Sequence, residues 1–388
     1  MQGAGVRTIL VTCGETSGEH HAARVVSELR AIDPSCRVIA LGGEELERAG
    51  AEIAFPMDRY AFMGFAEVLA GLPRILALER RIHSLLRSGS IDLFMPVDYP
   101  GLNLRLARYA HRHGVPVLYF ISPQVWAWGH WRVARMRGSI DLMALILPFE
   151  EVIYRRAGIP AVFVGHPMLG EVAASPVPKE APAADEPFSI VLFPGSRVQE
   201  VRRLLPPLLG AAKRLHGRFP RAVFKLGLAP LIDERDVQVP PAMRAYVEIT
   251  RNGVGELPGA ALVLAVSGTV TLQSAISGTP TVVCYRTSAF TFFVGRMLVK
   301  IPWIAMPNVL AGRAVVPELV QGAATAERIA GESTGLLGDG ERYRRVSAEL
   351  LALREALGEP GGAARVAGLA AGMAGGKPVR ALLDPIEG

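Results

Sequence analysis

Asp98 ends an apolar run in the segment DLFMPVDYPGLN (92–103), and a Pro-Gly break follows before a helical pattern resumes near Leu102. An apolar run bounded by turn residues reads as a buried strand of a parallel sheet. Ligands of open α/β sheets bind beyond the carboxyl ends of such strands. An acid fixed on a turn there can act as general base on a bound hydroxyl. The other reading is an Asx-type cap on the helix that follows. Spacing alone leaves the two open.

Two segments of the second half suit a phosphate. LFPGSR places Gly195, Ser196 and Arg197 directly after an apolar run. Small residues let backbone N–H groups approach an anion, and Arg offers a bidentate fork. VSGTVTLQSAISGTP sets Ser267, Gly268 and Thr269 between a strand and a helix, with Gln273 one turn later, in reach of a sugar hydroxyl. Ordinary βα turns with an N-cap and a surface Arg explain the same residues. There is no P-loop lysine and no dinucleotide glycine pattern, which argues against ATPase and dehydrogenase readings.

In the first half, CGETSGEHHA puts Gly14, Glu15, Ser17, Gly18 and Glu19 on the turn after the first strand, as a sugar- or phosphate-binding loop or a capped βα turn. His20 and His21 are adjacent, not four apart, so they form no helical metal pair, and no metal site or cofactor is expected. ISPQVWAWGHW gathers three of the four tryptophans, suited to stacking on a sugar, lying against acyl chains or packing in a core. The Val68–Leu86 helix is apolar over most of its face, with Arg74, Arg80, Arg81 and His83 alongside. Such a helix lies at an anionic membrane surface or packs on the sheet.

The elements that must carry these residues follow from alternating apolar runs and helical patterns. Strands are expected at Arg7–Thr12, Arg37–Leu41, Leu93–Val97, Pro116–Phe120, Asp141–Ile146 and Ala161–Val164, with helices at Gly18–Ala31 and Val68–Leu86. The Ala- and Pro-rich stretch near Val172–Pro187 reads as a linker. The rhythm then restarts with FSIVLF (188–193), a helix over Gln199–His216, and strands at Ala222–Leu226, Tyr246–Ile249, Ala261–Val266 and Thr281–Tyr285. The expected fold is α/β, two Rossmann-like parallel-sheet domains facing across a cleft. The expected division is 1–172, a linker at 173–187, 188–340 and a helical tail at 341–388 whose Gly-Ala-rich end is read as mobile.

Half of the 388 residues are hydrophobic and a fifth charged, which supports a sizeable core and excludes disorder. A net charge of +6 favours phosphates, nucleotides or anionic lipid surfaces. The basic residues are dispersed, so no nucleic-acid partner is expected. Three scattered cysteines, Cys13, Cys36 and Cys284, fit no metal or redox spacing and suit a reducing compartment. The N-terminus opens directly on a strand, so no signal peptide is expected. The uncharged stretch Leu257–Tyr285 is long enough to span a bilayer, but its Ser, Gly and Pro residues read as strand, turn, helix, turn and strand.

Taken together, these segments resemble the lipid-A-disaccharide synthase family, bacterial glycosyltransferases of the GT-B arrangement. The matching residues are GETSG (14–18), VDYPGLN (97–103), SPQVWAW (122–128), LPFE (147–150), GHP (165–167), PGSR (194–197), SGT (267–269), TPTVVCYR (279–286) and MPNVLAGRAVVPELVQ (306–321). The resemblance implies metal-independent transfer of a diacylated glucosamine from UDP to a diacylated glucosamine-1-phosphate, releasing UDP and inverting the anomeric centre. It places the general base on Asp98 and the nucleotide side on Gly195, Ser196, Arg197, Ser267, Gly268, Thr269 and Gln273. Glu15, Ser17, Gly18, Asn103, Gln124 and Asn308 fall on the sugar and acceptor side. The resemblance also implies a peripheral position on the cytoplasmic face of the bacterial inner membrane, and a homodimer through the C-terminal half.

The chain departs from the family pattern at Glu19 and Gln273, where Asp and an acidic residue are usual, and at Gly170, usually Asp. Two lost carboxylates bear on donor affinity and donor identity. The alternatives are a UDP-sugar epimerase, a transferase with another acceptor, or a non-catalytic lipid- or nucleotide-binding scaffold.

Overall fold

The computed structural model describes residues 6–59, 65–129, 131–298 and 301–387, without the side chains of 65–72, 290, 294, 298 and 384–387. The chain divides into two compact units, Met1–Pro167 with Leu357–Gly388, and Met168–Ala356.

Among the described residues the first unit holds seven strands: β1 (Thr8–Thr12), β2 (Arg37–Gly42), β3 (Glu52–Pro56), β4 (Leu93–Pro96), β5 (Leu118–Phe120), β6 (Leu142–Leu145) and β7 (Ala161–Phe163). Every pairing is parallel, in the orders β3-β2-β1-β4 and β5-β6-β7, and the bridges Phe94↔Val117 and Val97↔Phe120 join the two runs. Connecting them are α1 (Thr16–Ile32), α2 (Glu44–Arg48), α3 (Phe65–Arg87), α4 (Pro100–Arg112), α5 (Trp131–Met136) and α6 (Glu150–Arg156). Side chains alternate through the sheet, as the period-two geometry of a strand requires. Ile9 and Val11 pack with Val25, Val26 and Leu29, whereas Leu10 and Phe94 pack with Leu78, Ile82, Leu102 and Leu106. Covered on both faces, these strands read as continuous apolar runs.

The second unit repeats the design with β8 (Phe188–Phe193), β9 (Ala222–Gly227), β10 (Val247–Thr250), β11 (Ala260–Val266), β12 (Thr281–Tyr285) and β13 (Glu318–Val320) in the all-parallel order β10-β9-β8-β11-β12-β13. Its helices are α7 (Val198–Arg218), α8 (Thr269–Ile276), α9 (Ala289–Leu298), α10 (Met306–Ala311), α11 (Ala326–Leu337) and α12 (Gly340–Ala356). The last two helices are α13 (Gly362–Ala374) and α14 (Val379–Glu387).

The division of the chain differs from the expected one. The stretch read as a linker is fastened to the second unit: Lys179 Nζ donates to the carbonyls of Leu257, Pro258 and Ala260 and to Thr279 Oγ1, at 2.7–3.1 Å. Burial lowers the Lys179 pKa to about 8. The residues read as one tail belong to both units. Tyr343, Val346 and Leu350 of α12 join the second core, while Val366, Leu369 and Met373 of α13 join the first, against α1. The Gly-Ala composition read as mobility serves close packing, since a Cβ on Gly362 would stand 2.9 Å from the Gly165 carbonyl oxygen.

Candidate active site

Asp98 stands just past the end of β4, and both it and Tyr99 have a φ of 48°. Left-handed backbone at two consecutive non-glycine residues costs on the order of 1–3 kcal/mol each and persists only where the surroundings enforce it. Here they do. The Asp98 N–H donates to Phe120 O at 3.0 Å, and its carbonyl accepts from Tyr119 Oη at 2.7 Å and Asn103 Nδ2 at 2.8 Å. Helix α4 begins at Pro100 with Tyr99 as N-cap, so Asp98 is not the cap residue. Burial raises the Asp98 carboxyl to about 6, and the nearby Glu15 carboxylate pushes the same way. A carboxyl titrating there is ionised at neutral pH yet basic enough to take a proton from a hydroxyl in flight.

Around it, Glu15 and Ser17 are exposed at the start of α1, while Gly18 is buried, and a Cβ added there would stand 3.8 Å from the Val97 carbonyl oxygen. The Tyr99 ring lies where a Cβ on Gly14 would be, so only glycine fits there. Gln124 is exposed on the turn after β5. Asn103 is the exception to its expected role. It is wholly buried, bonding the Thr12 hydroxyl at 2.8 Å and the carbonyls of Thr12, Val97 and Asp98. It therefore holds the loop from beneath and has no group left to present to a sugar.

Glu19 is equally structural. Its Oε1 accepts from the N–H groups of Gly43, Glu45 and Leu46, at 2.9–3.3 Å, and so caps α2. The longer side chain is thus explained by the helix it holds. His20 pairs with Glu45 at 2.8 Å, and no group of three or more metal-ligating side chains occurs among the described residues.

One buried acid of this unit was not singled out from the sequence. Glu150 opens α6 with its side chain buried, and its Oε1 accepts from Ser122 Oγ at 2.7 Å and Trp126 Nε1 at 3.0 Å. An acid that ends the apolar run LILPF is the signal that could have found it. Trp128 and Trp131, in contrast, are 41% and 59% exposed, with the Arg132 guanidinium 4.0 Å from the Trp128 ring centroid and that of Arg135 4.5 Å from Trp131.

In the second unit, Gly195 has a φ of 133°, and Ser196 and Arg197 are exposed at the start of α7. The N–H groups of Ser196 and Arg197 are engaged by Glu200 Oε2 at 3.0 and 3.3 Å, a capping box, so the anion held by this loop is a side chain of the chain itself. The Arg197 guanidinium stays largely exposed, 3.7 Å from Glu200. Beyond β11, Gly268 and Thr269 are exposed at the start of α8 and Gln273 is half-buried on it. Ser267 Oγ donates to Ile304 O at 2.7 Å. Asn308 again differs from expectation. It is wholly buried, taking the N–H groups of Val315 and Val316 and donating to Val316 O and to Glu318 Oε1 at 2.8 Å. Glu318, the second residue that sequence reasoning missed, accepts from the N–H groups of Ile304 and Ala305 at the start of α10. Asn308 and Glu318 thus build the wall on which Ser267 rests.

Two doubly wound parallel units, each with its polar residues beyond the carboxyl ends of the strands, define the GT-B class of glycosyltransferase folds. Among solved structures, MurG of Acinetobacter baumannii matches at TM-score 0.55 and 15% identity, over 94% of this chain and 99% of that one. A structure described as a putative UDP-N-acetylglucosamine 2-epimerase from Listeria monocytogenes matches at TM-score 0.60 and 11% identity, over 95% of this chain and 96% of that one. At these identities the likeness shows the fold alone.

Sequence comparison is more specific. The Lipid-A-disaccharide synthetase family model matches residues 9–362. The lipid-A-disaccharide synthase of Syntrophus aciditrophicus is 39% identical over 374 residues, covering 94% of this chain and 97% of the relative. That of Anaeromyxobacter sp. is 40% identical over 367 residues, covering 92% and 95%. The chain belongs to the lipid-A-disaccharide synthase family, and is a glycosyltransferase of lipid A biosynthesis.

Proposed function

We propose that the enzyme transfers 2,3-diacylglucosamine from UDP to 2,3-diacylglucosamine-1-phosphate with inversion, forming the β-1,6 disaccharide 1-phosphate and UDP. The observation that carries this reading is the Asp98 carboxyl, raised to about 6 and fixed on a strained turn at the end of β4. Asp98 takes the proton from the acceptor 6-hydroxyl as that oxygen bonds to the donor's anomeric carbon. The bond from that carbon to the UDP oxygen breaks, and the electron pair leaves with UDP. One displacement inverts the centre. The diphosphate is met by the Arg197 guanidinium and the start of α8 at Ser267, Gly268 and Thr269, with Gly195 and Ser196 shaping the loop and Gln273 on the ribose side. Fixed donors aimed at developing charge stabilise it without reorganising. Glu15, Ser17, Gly18 and Gln124 border the acceptor.

The same reading places the acyl chains and an anionic membrane surface against α3, where Arg74, Leu76, Arg80 and Arg81 are exposed. Its residues 65–72 carry no described side chains. No helix of the described residues is long and apolar enough to cross a membrane. Peripheral association with the cytoplasmic face of the inner membrane, and a homodimer through the C-terminal half, complete the proposal.

Purified protein is incubated with both diacylated substrates, and UDP and disaccharide are followed by mass spectrometry. Formation of both supports the reading. Measurable UDP-sugar binding without disaccharide overturns it and favours another acceptor or a binding scaffold.

A further inference from the structure

Two carboxylates are buried among the described residues, Glu19 and Glu150. Glu19 is satisfied by three N–H groups; Glu150 is not. One of its oxygens takes both Ser122 and Trp126, and the other, Oε2, is sealed from solvent without a partner. An unsatisfied buried polar atom costs about 1–3 kcal/mol, so its retention asks for a reason. The turn that Glu150 grips is itself strained. Ile121, between β5 and Ser122, has a φ of 62°, an outlier for a β-branched side chain. Tyr154 of α6 holds the same turn, its hydroxyl donating to Pro123 O at 3.0 Å.

A short chain of bonds leads from this turn to the base. Glu150 binds Ser122, Ser122 follows Ile121, and β5 ends immediately before it at Phe120. Phe120 O accepts the Asp98 N–H, and the Tyr119 hydroxyl donates to the Asp98 carbonyl. We propose that Glu150 is a positioning residue of the transfer reaction: its carboxyl fixes the turn after β5, and through the end of β5 that turn fixes the main chain carrying Asp98. The inference rests on the reading of Asp98 as the base. Burial raises Glu150 to about 7, against hydrogen bonds from Ser122, Trp126 and the Leu147 N–H. The facing titratable group is Tyr154. The neutral carboxyl fits this apolar setting, and ionisation above about pH 7 puts a charge where burial disfavours it.

The experiment compares the full-length wild type with Glu150→Gln, Glu150→Ala and Asp98→Asn. It measures kcat and both KM values across neutral pH, with thermal unfolding alongside. Wild-type kcat rises through about pH 6 and falls above about pH 7. Glu150→Gln, which keeps the shape of the neutral acid, stays within about threefold at its best pH and loses the alkaline fall. Glu150→Ala loses roughly thirtyfold or more in kcat with the donor KM unchanged, because a displacement of the base is felt in the chemical step. Should the Ala variant fail to fold, the Gln profile decides alone. The proposal is overturned by an unchanged alkaline fall in the Gln variant, or by an Ala variant with wild-type kcat. Full activity in Asp98→Asn removes the base and this inference with it. An inactive Asp98→Asn beside a Glu150→Ala variant of wild-type kcat removes the positioning role only.

Discussion

Asn103 holds Asp98 from below: its amide nitrogen donates to the Asp98 carbonyl at 2.8 Å, while its amide oxygen accepts from the Thr12 hydroxyl at 2.8 Å. One buried side chain thus ties the end of β1 to the left-handed turn after β4. Removing it leaves the carbonyls and the hydroxyl it served without that partner in a dry environment. Asn103→Ala is expected to destabilise the chain by about 2–4 kcal/mol, a cost typical of breaking a buried network. The urea midpoint reads the stability change, and kcat per folded molecule falls with it.

The raised Asp98 carboxyl has a consequence for stability whose sign is fixed. Its ordinary value is 3.8, and in the folded chain it lies at about 6. Between roughly pH 4 and 6 the folded chain keeps a proton that the unfolded chain has lost, so stability falls as pH rises through that window. The contribution is fully present below the lower value and absent above the upper one, a difference of about 2–3 kcal/mol. Asp98→Asn removes the effect. Relative to wild type, the variant gains that amount between about pH 4 and pH 8, measured as the difference in urea unfolding free energy.

Gly14 and Tyr99 form a contact that tolerates no methyl group, because the ring occupies the Cβ position. Gly14→Ala is expected to cost about 1–3 kcal/mol as an overpacking substitution and to displace the turn carrying Asp98. Shrinking the ring in Gly14→Ala/Tyr99→Ala restores part of the loss. A double-mutant cycle on unfolding free energy measures the coupling, and additive effects would argue against the contact.

Glu19 caps α2 through three N–H groups. Glu19→Ala is expected to cost about 1–3 kcal/mol, as for charged hydrogen bonds left unmade, with donor and acceptor KM values unchanged. Thermal unfolding and steady-state kinetics on the same preparation separate the two.

Most of the architecture is legible in the sequence because parallel strands covered on both faces are written as apolar runs. β8 and β12 fall where FSIVLF and Thr281–Tyr285 are read, and β1, β2, β4 and β11 differ by a residue at one end. The two strands not foreseen are β3 and β13. The first is an edge strand that carries Glu52 and ends on Pro56, and the second is three residues long. α7 runs through Pro206 and Pro207, where local rules stop a helix, because Leu204, Leu205, Leu208 and Leu209 bury its face. The candidate site was legible only as a set of polar residues beyond strand ends. The split between those that face solvent and those that brace was not. Asn103 meets Thr12 across 91 residues of chain, and Glu150 meets Ser122 across 28. Such partners are settled by tertiary packing, and no local spacing announces them.

The central claim is that the Asp98 carboxylate takes the acceptor's proton. The most direct measurement is single-turnover disaccharide formation by Asp98→Asn at about pH 7.5, with UDP-sugar affinity and thermal unfolding measured on the same protein. A loss of about a hundredfold or more, with donor affinity and folding intact, is the expected result. Turnover within a few fold of the wild type would contradict it and leave the raised carboxyl without a part in the chemistry.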